Sequence, residues 1–168
     1  MSSNLPQLPS LVVGEREFRR ACAQFATGVA VATVLDESGA PHGMTVNSFT
    51  SVSLAPPLAL ICIAHSASVI DLFRRAGHFG ISMLGEEQRA LSERFAQRGR
   101  DRFDDVPWCP GDSGVPLIPD APSHIEFRLV RTETAGDHDI FIGEAVRTVV
   151  RAGNPLIYYG SGYSRLER

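Results

Sequence analysis

The sequence has little net charge, no long apolar run and no recognisable export signal. Its 16 basic and 19 acidic residues leave a formal charge of -3, and without a basic surplus we expect no nucleic-acid surface, because such a surface must neutralise phosphates. No uninterrupted apolar stretch approaches the roughly 20 residues that span a bilayer. Residues 1–14 do not combine a basic start with an apolar stretch, which is the pattern of a secretory signal. We therefore expect no association with nucleic acid or membrane.

Cysteine is also scarce. The three cysteines, Cys22, Cys62 and Cys109, are odd in number and widely spaced, so they predict neither a disulfide framework nor a paired metal knuckle. Such usage is typical of a protein in the reducing cytoplasm.

Several sequence motifs of common active sites are missing. We find no glycine-rich dinucleotide or P-loop fingerprint and no nucleophile elbow of a hydrolase. The five histidines show no metal-binding spacing, so no metal is expected. An enzyme with this sequence would therefore take its chemistry from a bound organic cofactor.

The length and composition indicate one globular domain. The chain has 168 residues, of which 43% are hydrophobic, and folding at this size buries one substantial core. Residues 1–13 have few apolar anchors and are interpreted as a flexible tail, so the domain is expected over 14–168. No internal repeat or change of composition marks a second domain.

The hydrophobic periodicity predicts mostly short strands. Helices are expected over 15–25, over 86–97, and after a cap at Ser66 or Ser68. A long irregular loop is expected over 99–123, and a turn at Ala135-Gly136-Asp137. Strands are expected over 28–35, 42–48, 58–64, 79–84, 125–131, 140–150 and 156–159. This pattern favours a closed antiparallel β-barrel with helices outside.

The segment over 42–58 is unusually rich in hydroxyl and amide side chains. These polar residues alternate with apolar ones and are Thr45, Asn47, Ser48, Thr50, Ser51 and Ser53. Such a strand can bind a polar planar ligand or a phosphate. A solvent-facing strand edge is the other interpretation, and the pattern alone favours that edge.

The same segment closely resembles the flavin-binding strand of the flavin reductase-like, FMN-binding split-barrel family. The resemblance rests on the run from Gly43 to Leu54 followed by Pro56-Pro57-Leu58. Four further segments match in the same order along the chain. They are Phe25–Val29, Ser92–Ala96 with Arg102-Phe103, Gly136–His138 with Ile140–Glu144, and Pro155–Tyr159.

The resemblance implies a fold and an activity. The fold is mainly β with flanking helices, an antiparallel split barrel of Greek-key type, in a homodimer whose flavin sites are completed near the subunit seam. The activity is reduction of FMN or FAD by NADH or NADPH, with reduced flavin passed to a separate monooxygenase. The sequence shows no obvious arginine cluster that would bind the 2′-phosphate of NADPH, which favours NADH.

The resemblance also implies which residues bind the flavin. Thr45, Val46, Asn47 and Ser48 would lie along the flavin ring, largely through backbone groups. Arg102 and Phe103 would close the site from the loop. The ribityl and phosphate portion would lie near Ser51, Ser53, Ala64, Ser66 and Ser68.

His138 is the candidate catalytic residue. A histidine in a Gly-Asp-His turn is usually a surface residue, but the resemblance implies that this one lies beside the nicotinamide and positions it by hydrogen bonding. Asp137 would orient it. Tyr163 is a second candidate for the nicotinamide site, whereas Tyr158 and Tyr159 are assigned to the dimer seam.

Two other functions stay open. One is a pyridoxamine-phosphate oxidase-like flavoenzyme, and the other is a non-enzymatic flavin-carrying or flavin-sensing module. Only a reductase would consume NADH over many turnovers in the presence of free FMN and air.

Overall fold

A computed structural model of the chain describes residues 12–97 and 102–166. Residues 1–11, which carry most of the expected tail, lie outside the described residues. The helices are α1 (Glu15–Cys22), α2 (Ile70–Arg75) and α3 (Arg89–Ala96), the last preceded by a 3-10 turn at Glu86–Gln88. The strands are β1 (Thr27–Gly28), β2 (Ala30–Leu35), β3 (Pro41–Val46), β4 (Thr50–Leu54), β5 (Pro57–Ala64), β6 (His78–Met83), β7 (Cys109–Pro110), β8 (Pro116–Leu117), β9 (Ser123–Ala135), β10 (His138–Val150), β11 (Ile157–Tyr159) and β12 (Gly162–Ser164).

The main sheet has seven strands in the order β3-β2-β6-β9-β10-β5-β4. Every strand pair in it is antiparallel. A second sheet joins β1, β11 and β12, and a ribbon joins β7 and β8. The expectation of a mainly β fold with flanking helices is confirmed. Strand β3 also approaches β5, which is compatible with the split barrel expected from the sequence.

The β9–β10 hairpin is longer than the sequence suggests. The turn is where it was predicted, with Gly136 at φ +62, a left-handed conformation that glycine adopts at little cost. The ladder continues to the pair His138–Ala135, beyond the predicted strand ends. Thr132, Glu133 and Thr134 are exposed there, so the outer arm lacks the apolar alternation on which strand prediction depends.

The predicted irregular loop contains a short ribbon, β7–β8. Glu126 on β9 is 3% exposed, and its carboxylate accepts hydrogen bonds from the backbone N–H groups of Asp112 (2.9 Å) and Ser113 (2.6 Å). One buried carboxylate thus orders the turn between the two strands. Glu126 is distant in sequence, so local pattern could not predict it.

Two cores fill the space on either side of β2. In the first, Phe79 stacks on Phe127 with ring centroids 5.0 Å apart, and Phe73 of α2 meets Phe141 edge-on. Gly143 lies beneath this stack, and a Cβ there would come within 2.7 Å of both Phe127 and Phe79. In the second core, beneath α3, Phe95 and Phe103 pack at 5.0 Å.

The predicted cap of α2 is wrong. The helix begins after Val69 without any side-chain cap, because the Ile70 N–H donates to the backbone carbonyl of Ala67 at 3.2 Å. A backbone turn therefore supplies the hydrogen bond at the start of the helix that was expected from Ser66 or Ser68. Both serine side chains stay exposed. Helix α1 also ends earlier than predicted, at Cys22 rather than residue 25.

Candidate functional site

The chain between β3 and β4 leaves the sheet for three residues, Asn47 to Phe49. Continuing the β4–β5 register by two residues places Ser48 opposite Cys62. At that position the Ser48 hydroxyl accepts from the Cys62 N–H (2.9 Å) and donates to the Cys62 carbonyl (3.1 Å). A side chain thus replaces the ladder, and the backbone of Ser48 is displaced from it. This is a physical basis for a segment that binds a ligand with main-chain groups.

The neighbours of Asn47 are held firmly. Thr45 donates from Oγ1 to the Ser92 carbonyl of α3 at 2.6 Å, Val46 is 5% exposed in the core, and the Phe49 ring packs on Phe127. Thr45 and Val46 precede Asn47 and Phe49 follows it, so these contacts hold the short segment at both ends. Pre-organisation of this kind lowers the entropy cost of binding.

Asn47 is exposed and lines three clefts. The first, here called the Phe25 cleft, has a volume of about 310 Å³ and mostly apolar walls that include Phe25, Thr27 and Phe49. Thr27 Oγ1 is buried there and has no hydrogen-bond partner within the described chain. Apolar walls with an amide and a hydroxyl at their edge suit an aromatic ring with polar rim atoms.

The second opening, the His138 cleft, has a volume of about 580 Å³ and joins the two segments singled out in the sequence. Asn47, Asp137 and His138 all line it. Phe25, Tyr158 and residues of helix α1, among them Phe18, also contribute to its walls. Residues far apart in sequence thus share one surface, as expected for two halves of a binding site.

The His138 side chain is oriented by Asp137. Its Nδ1 lies 2.7 Å from Asp137 Oδ1, so Nδ1 carries the proton and donates it to the carboxylate. This hydrogen bond is the main reason why the pKa of Asp137 lies below its ordinary value. Within the described residues Nε2 makes no hydrogen bond, which makes it the ring atom available to a ligand. A neutral His138 can accept through Nε2, and a protonated one can donate.

The third opening, the Tyr163 cleft, is smaller, about 210 Å³, and is bounded by Thr45, Asn47 and Tyr163. The Tyr163 hydroxyl lies 2.7 Å from Ser92 Oγ, and the Arg89 guanidinium sits 5.1 Å from the Tyr163 ring centroid. The structure therefore holds Tyr163 beside Thr45 and Asn47, one cleft away from His138.

A fourth opening, the Arg102 cleft, lies toward the other end of β3 and has a volume of about 530 Å³. Ser68, Arg75, Arg102 and Phe103 line it. The Arg102 guanidinium donates to the carbonyls of Gly43 (2.7 Å) and Gln97 (2.9 Å), and burial lowers its pKa, though arginine stays protonated. Two guanidinium groups and a serine hydroxyl form a donor set that suits a phosphate.

The remaining candidates are more scattered. Ala64 pairs directly with His138 across the β5–β10 ladder but does not line the His138 cleft. Ser66 follows it in the exposed turn. Ser51 and Ser53 lie on β4, opposite Ala59 and Leu58, outside the four clefts. The structure thus places Asn47 with His138 in one cleft and with Thr45 and Tyr163 in a second. Ser68, Arg102 and Phe103 line a separate cleft.

Several lining residues were not predicted from the sequence as site residues, among them Tyr158, Phe25 and Arg75. Tyr158 had been assigned to the dimer seam, and it lies in the His138 cleft and packs edge-on against Tyr163 at 5.4 Å. Phe25 was noted only as part of a matched strand. No feature of the sequence indicated Arg75 as a site residue, because basic residues at the end of a helix are common on protein surfaces.

The described residues also define what the fold lacks. No helix over 12–97 or 102–166 has the length and hydropathy of a bilayer span. No group of three or more His, Cys, Asp or Glu side chains in the same residues could hold a metal ion.

Comparison with known proteins identifies the family of the chain. Residues 22–167 match the model of the flavin reductase like domain. The chain belongs to this family. It is 46% identical over 153 residues to the NADH-dependent FMN reductase SmoA of Agrobacterium fabrum, covering 91% of this chain and 87% of SmoA.

Two further relatives show the range of the family. The reductase component of a 4-nitrophenol monooxygenase from Rhodococcus opacus is 36% identical over 85% of this chain and 76% of its own length. The structure of the NADH:FAD oxidoreductase SgcE6 of Streptomyces globisporus, solved with NAD and FAD fragments, superposes with a TM-score of 0.86. It is 38% identical and covers 91% of this chain and 93% of its own.

Proposed function

We propose that this protein is an NAD(P)H:flavin oxidoreductase that reduces FMN or FAD and supplies reduced flavin to a separate monooxygenase. The observation that carries the proposal is the His138 cleft, in which the flavin strand and the Gly-Asp-His turn share one surface. Membership of the flavin reductase family and the names of the three relatives support the same activity.

The clefts suggest where each part of the two nucleotides would bind. The flavin ring would lie against the segment from Thr45 to Ser48, with Asn47 at its polar edge. The phosphate end would lie toward Ser68, Arg75 and Arg102, where guanidinium donors can form charge-assisted hydrogen bonds. The nicotinamide would lie beside His138 and Tyr158. Tyr163 would then support the flavin side of the site from the cleft that it lines with Thr45 and Asn47.

The chain's own residues would bind and orient rather than react. Bound side by side, a reduced nicotinamide supplies a hydride and an oxidised flavin accepts it. The protein's part is to hold the two rings face to face, which removes much of the entropy cost of their meeting. Asn47 and the adjacent backbone can hydrogen-bond the polar rim of a ring, and His138 Nε2 can hold a carboxamide or a pyrophosphate.

A homodimer is part of the proposal, because apolar side chains surround the His138 cleft. Phe18 is 62% exposed and Phe25 is 77% exposed, and both line that cleft. On the edge strand β4, Leu54 is 92% exposed, and edge strands are usually covered. A second copy over these residues would bury them and complete the cleft. A monomeric mass at micromolar concentration, with activity retained, would contradict this.

The cytoplasm is the proposed location. Cys22 and Cys109 are exposed free thiols in the described chain, a state that a reducing compartment maintains.

The deciding experiment is NADH oxidation, followed at 340 nm, with purified protein and free FMN in air. A reductase consumes many equivalents of NADH per protein. A stoichiometric loss or none would favour a flavin-carrying module. Kinetics with FMN or FAD and NADH or NADPH, in all four pairings, then define the substrates.

A further inference from the structure

A buried ion cluster connects the two loops of the proposed site. Asp139 follows His138 on β10 and, because successive strand residues point to opposite faces, its side chain turns away from the His138 cleft. It is 2% exposed. Its Oδ1 accepts from His65 Nε2 (2.8 Å) and Thr134 Oγ1 (2.9 Å), and its Oδ2 accepts from Arg74 Nε (2.8 Å).

The partners of Asp139 come from separate elements. Thr134 lies opposite it on β9, Arg74 is on α2, and His65 stands between Ala64 and Ser66 in the turn after β5. The turn is also joined to the hairpin by its backbone, because the His65 N–H donates to the Asp137 carbonyl at 2.9 Å. One carboxylate therefore fastens the 64–68 turn and the Gly136–His138 turn to a common helix.

Arg74 is shared between two carboxylates, because its guanidinium also donates to Asp71 Oδ1 at 3.0 Å. The hydrogen bonds from Arg74 and then His65 hold the pKa of Asp139 at about 2, well below its ordinary value. The carboxylate is thus charged at neutral pH, and both of its oxygens accept hydrogen bonds within the cluster.

We propose that Asp139, through His65 and Arg74, is a positioning residue that couples the 64–68 turn to His138. This rests on the proposed function, since it assumes that these two turns hold the flavin and the nicotinamide. Loss of the cluster should move both turns. A single substitution at Asp139, outside the cleft, should therefore weaken the binding of both nucleotides.

Asp139→Asn is the first test. The amide keeps the size of the side chain but is uncharged, so the contacts with His65 and Arg74 lose their charge assistance. A charge-assisted hydrogen bond of this kind corresponds to about a tenfold or larger change in affinity. We expect FMN affinity, measured by fluorescence quenching, and the NADH KM to worsen together by about that factor.

Glu126→Gln is the matched control. Glu126 is 3% exposed and also holds a loop through several hydrogen bonds, but that loop lies outside the four clefts. Its loss should lower the thermal midpoint without moving the FMN affinity or the NADH KM. If Asp139→Asn behaves in the same way, the cluster is structural only and the inference is overturned.

Two further comparisons keep the test decisive. The His65 side chain is 37% exposed, so His65→Leu should fold; it should reproduce the double defect, whereas His65→Gln, which keeps an N–H donor, should restore most of the binding. In a double-mutant cycle, His138→Ala should raise the NADH KM less in the Asp139→Asn background than in the wild type, because His138 is no longer held there. Additive effects would count against the coupling.

The two proposals fail differently. A wild-type protein that does not turn over NADH with flavin overturns the proposed function itself. An active wild type in which the His65 and Asp139 variants bind both nucleotides normally overturns only the positioning role.

Discussion

Replacing His138 by alanine tests the central assignment of the site. The substitution removes Nε2, the ring atom without a hydrogen bond within the described residues, and leaves the backbone of the Gly136–His138 turn in place. His138 is partly exposed, and in the described part of the chain its Nδ1 bonds only to the neighbouring Asp137. We therefore expect a folded protein whose flavin affinity stays near that of the wild type.

The size of the effect identifies the group that His138 contacts. A lost hydrogen bond to an uncharged carboxamide is worth about 1 kcal/mol, and one to a pyrophosphate up to ~3 kcal/mol. These correspond to about fivefold and over a hundredfold in affinity. Steady-state kinetics give the NADH KM, and binding of oxidised NAD by calorimetry checks that the change is in affinity.

The pH profile separates the two contacts independently. A pyrophosphate is held best by a positively charged ring, so NADH binding through this contact should be weaker in alkaline than in acidic buffer. A carboxamide can donate to the neutral ring, which predicts little pH dependence. Asp137→Asn is the matched control, because it keeps an oxygen that can accept from Nδ1 and so preserves the tautomer.

One result would refute the assignment. If His138→Ala loses flavin binding and keeps its NADH KM, His138 belongs to the flavin site, and the nicotinamide must be held elsewhere.

Three more predictions follow from the contacts. Ser48→Ala should destabilise the fold by about 1–3 kcal/mol, because it removes two hydrogen bonds, whereas the exposed Ser51→Ala should leave the thermal midpoint unchanged; equal midpoints would contradict the role given to Ser48. Asn47→Ala should weaken FMN binding by about fivefold at unchanged stability, and unchanged titrated affinity would mean that the flavin strand is misplaced. The low pKa of Asp139, about 2, gives stability that is present above the unfolded-state value and lost as pH falls from about 4 towards 2; acid unfolding should be less steep over that window in Asp139→Asn, and parallel curves would contradict the pKa assignment.

Much of the fold was predictable because its signals are local. Short apolar runs predicted β2, β5 and β6 to within two residues at either end, and Gly136 marked the hairpin turn. The β7–β8 ribbon was missed because Glu126, which orders it, lies outside that local sequence. The cap of α2 was wrong because a backbone carbonyl competed with two serine hydroxyls.

The candidate site was predictable as a set of segments but not as a geometry. The family resemblance named the flavin strand and the Gly-Asp-His turn, and the structure places Asn47 and His138 in one cleft. It could not show that Tyr158, rather than Tyr163, shares that cleft, because both lie in neighbouring strands of similar composition. Nor could it show the Asp139 cluster, whose members are separated by up to 74 residues.

Ser48 explains why a polar run could be either an exposed edge or a ligand strand. In the sequence pattern, the Ser48 hydroxyl belongs to a polar run that is typical of a solvent-facing strand edge. In the fold, that hydroxyl is turned inward and satisfies both main-chain groups of Cys62, which would otherwise lie unpaired where the ladder ends. The consequence is that the backbone of Ser48 lies off the sheet while the segment stays fixed. The flavin binding proposed for this segment would depend on main-chain groups, which no side-chain pattern can report.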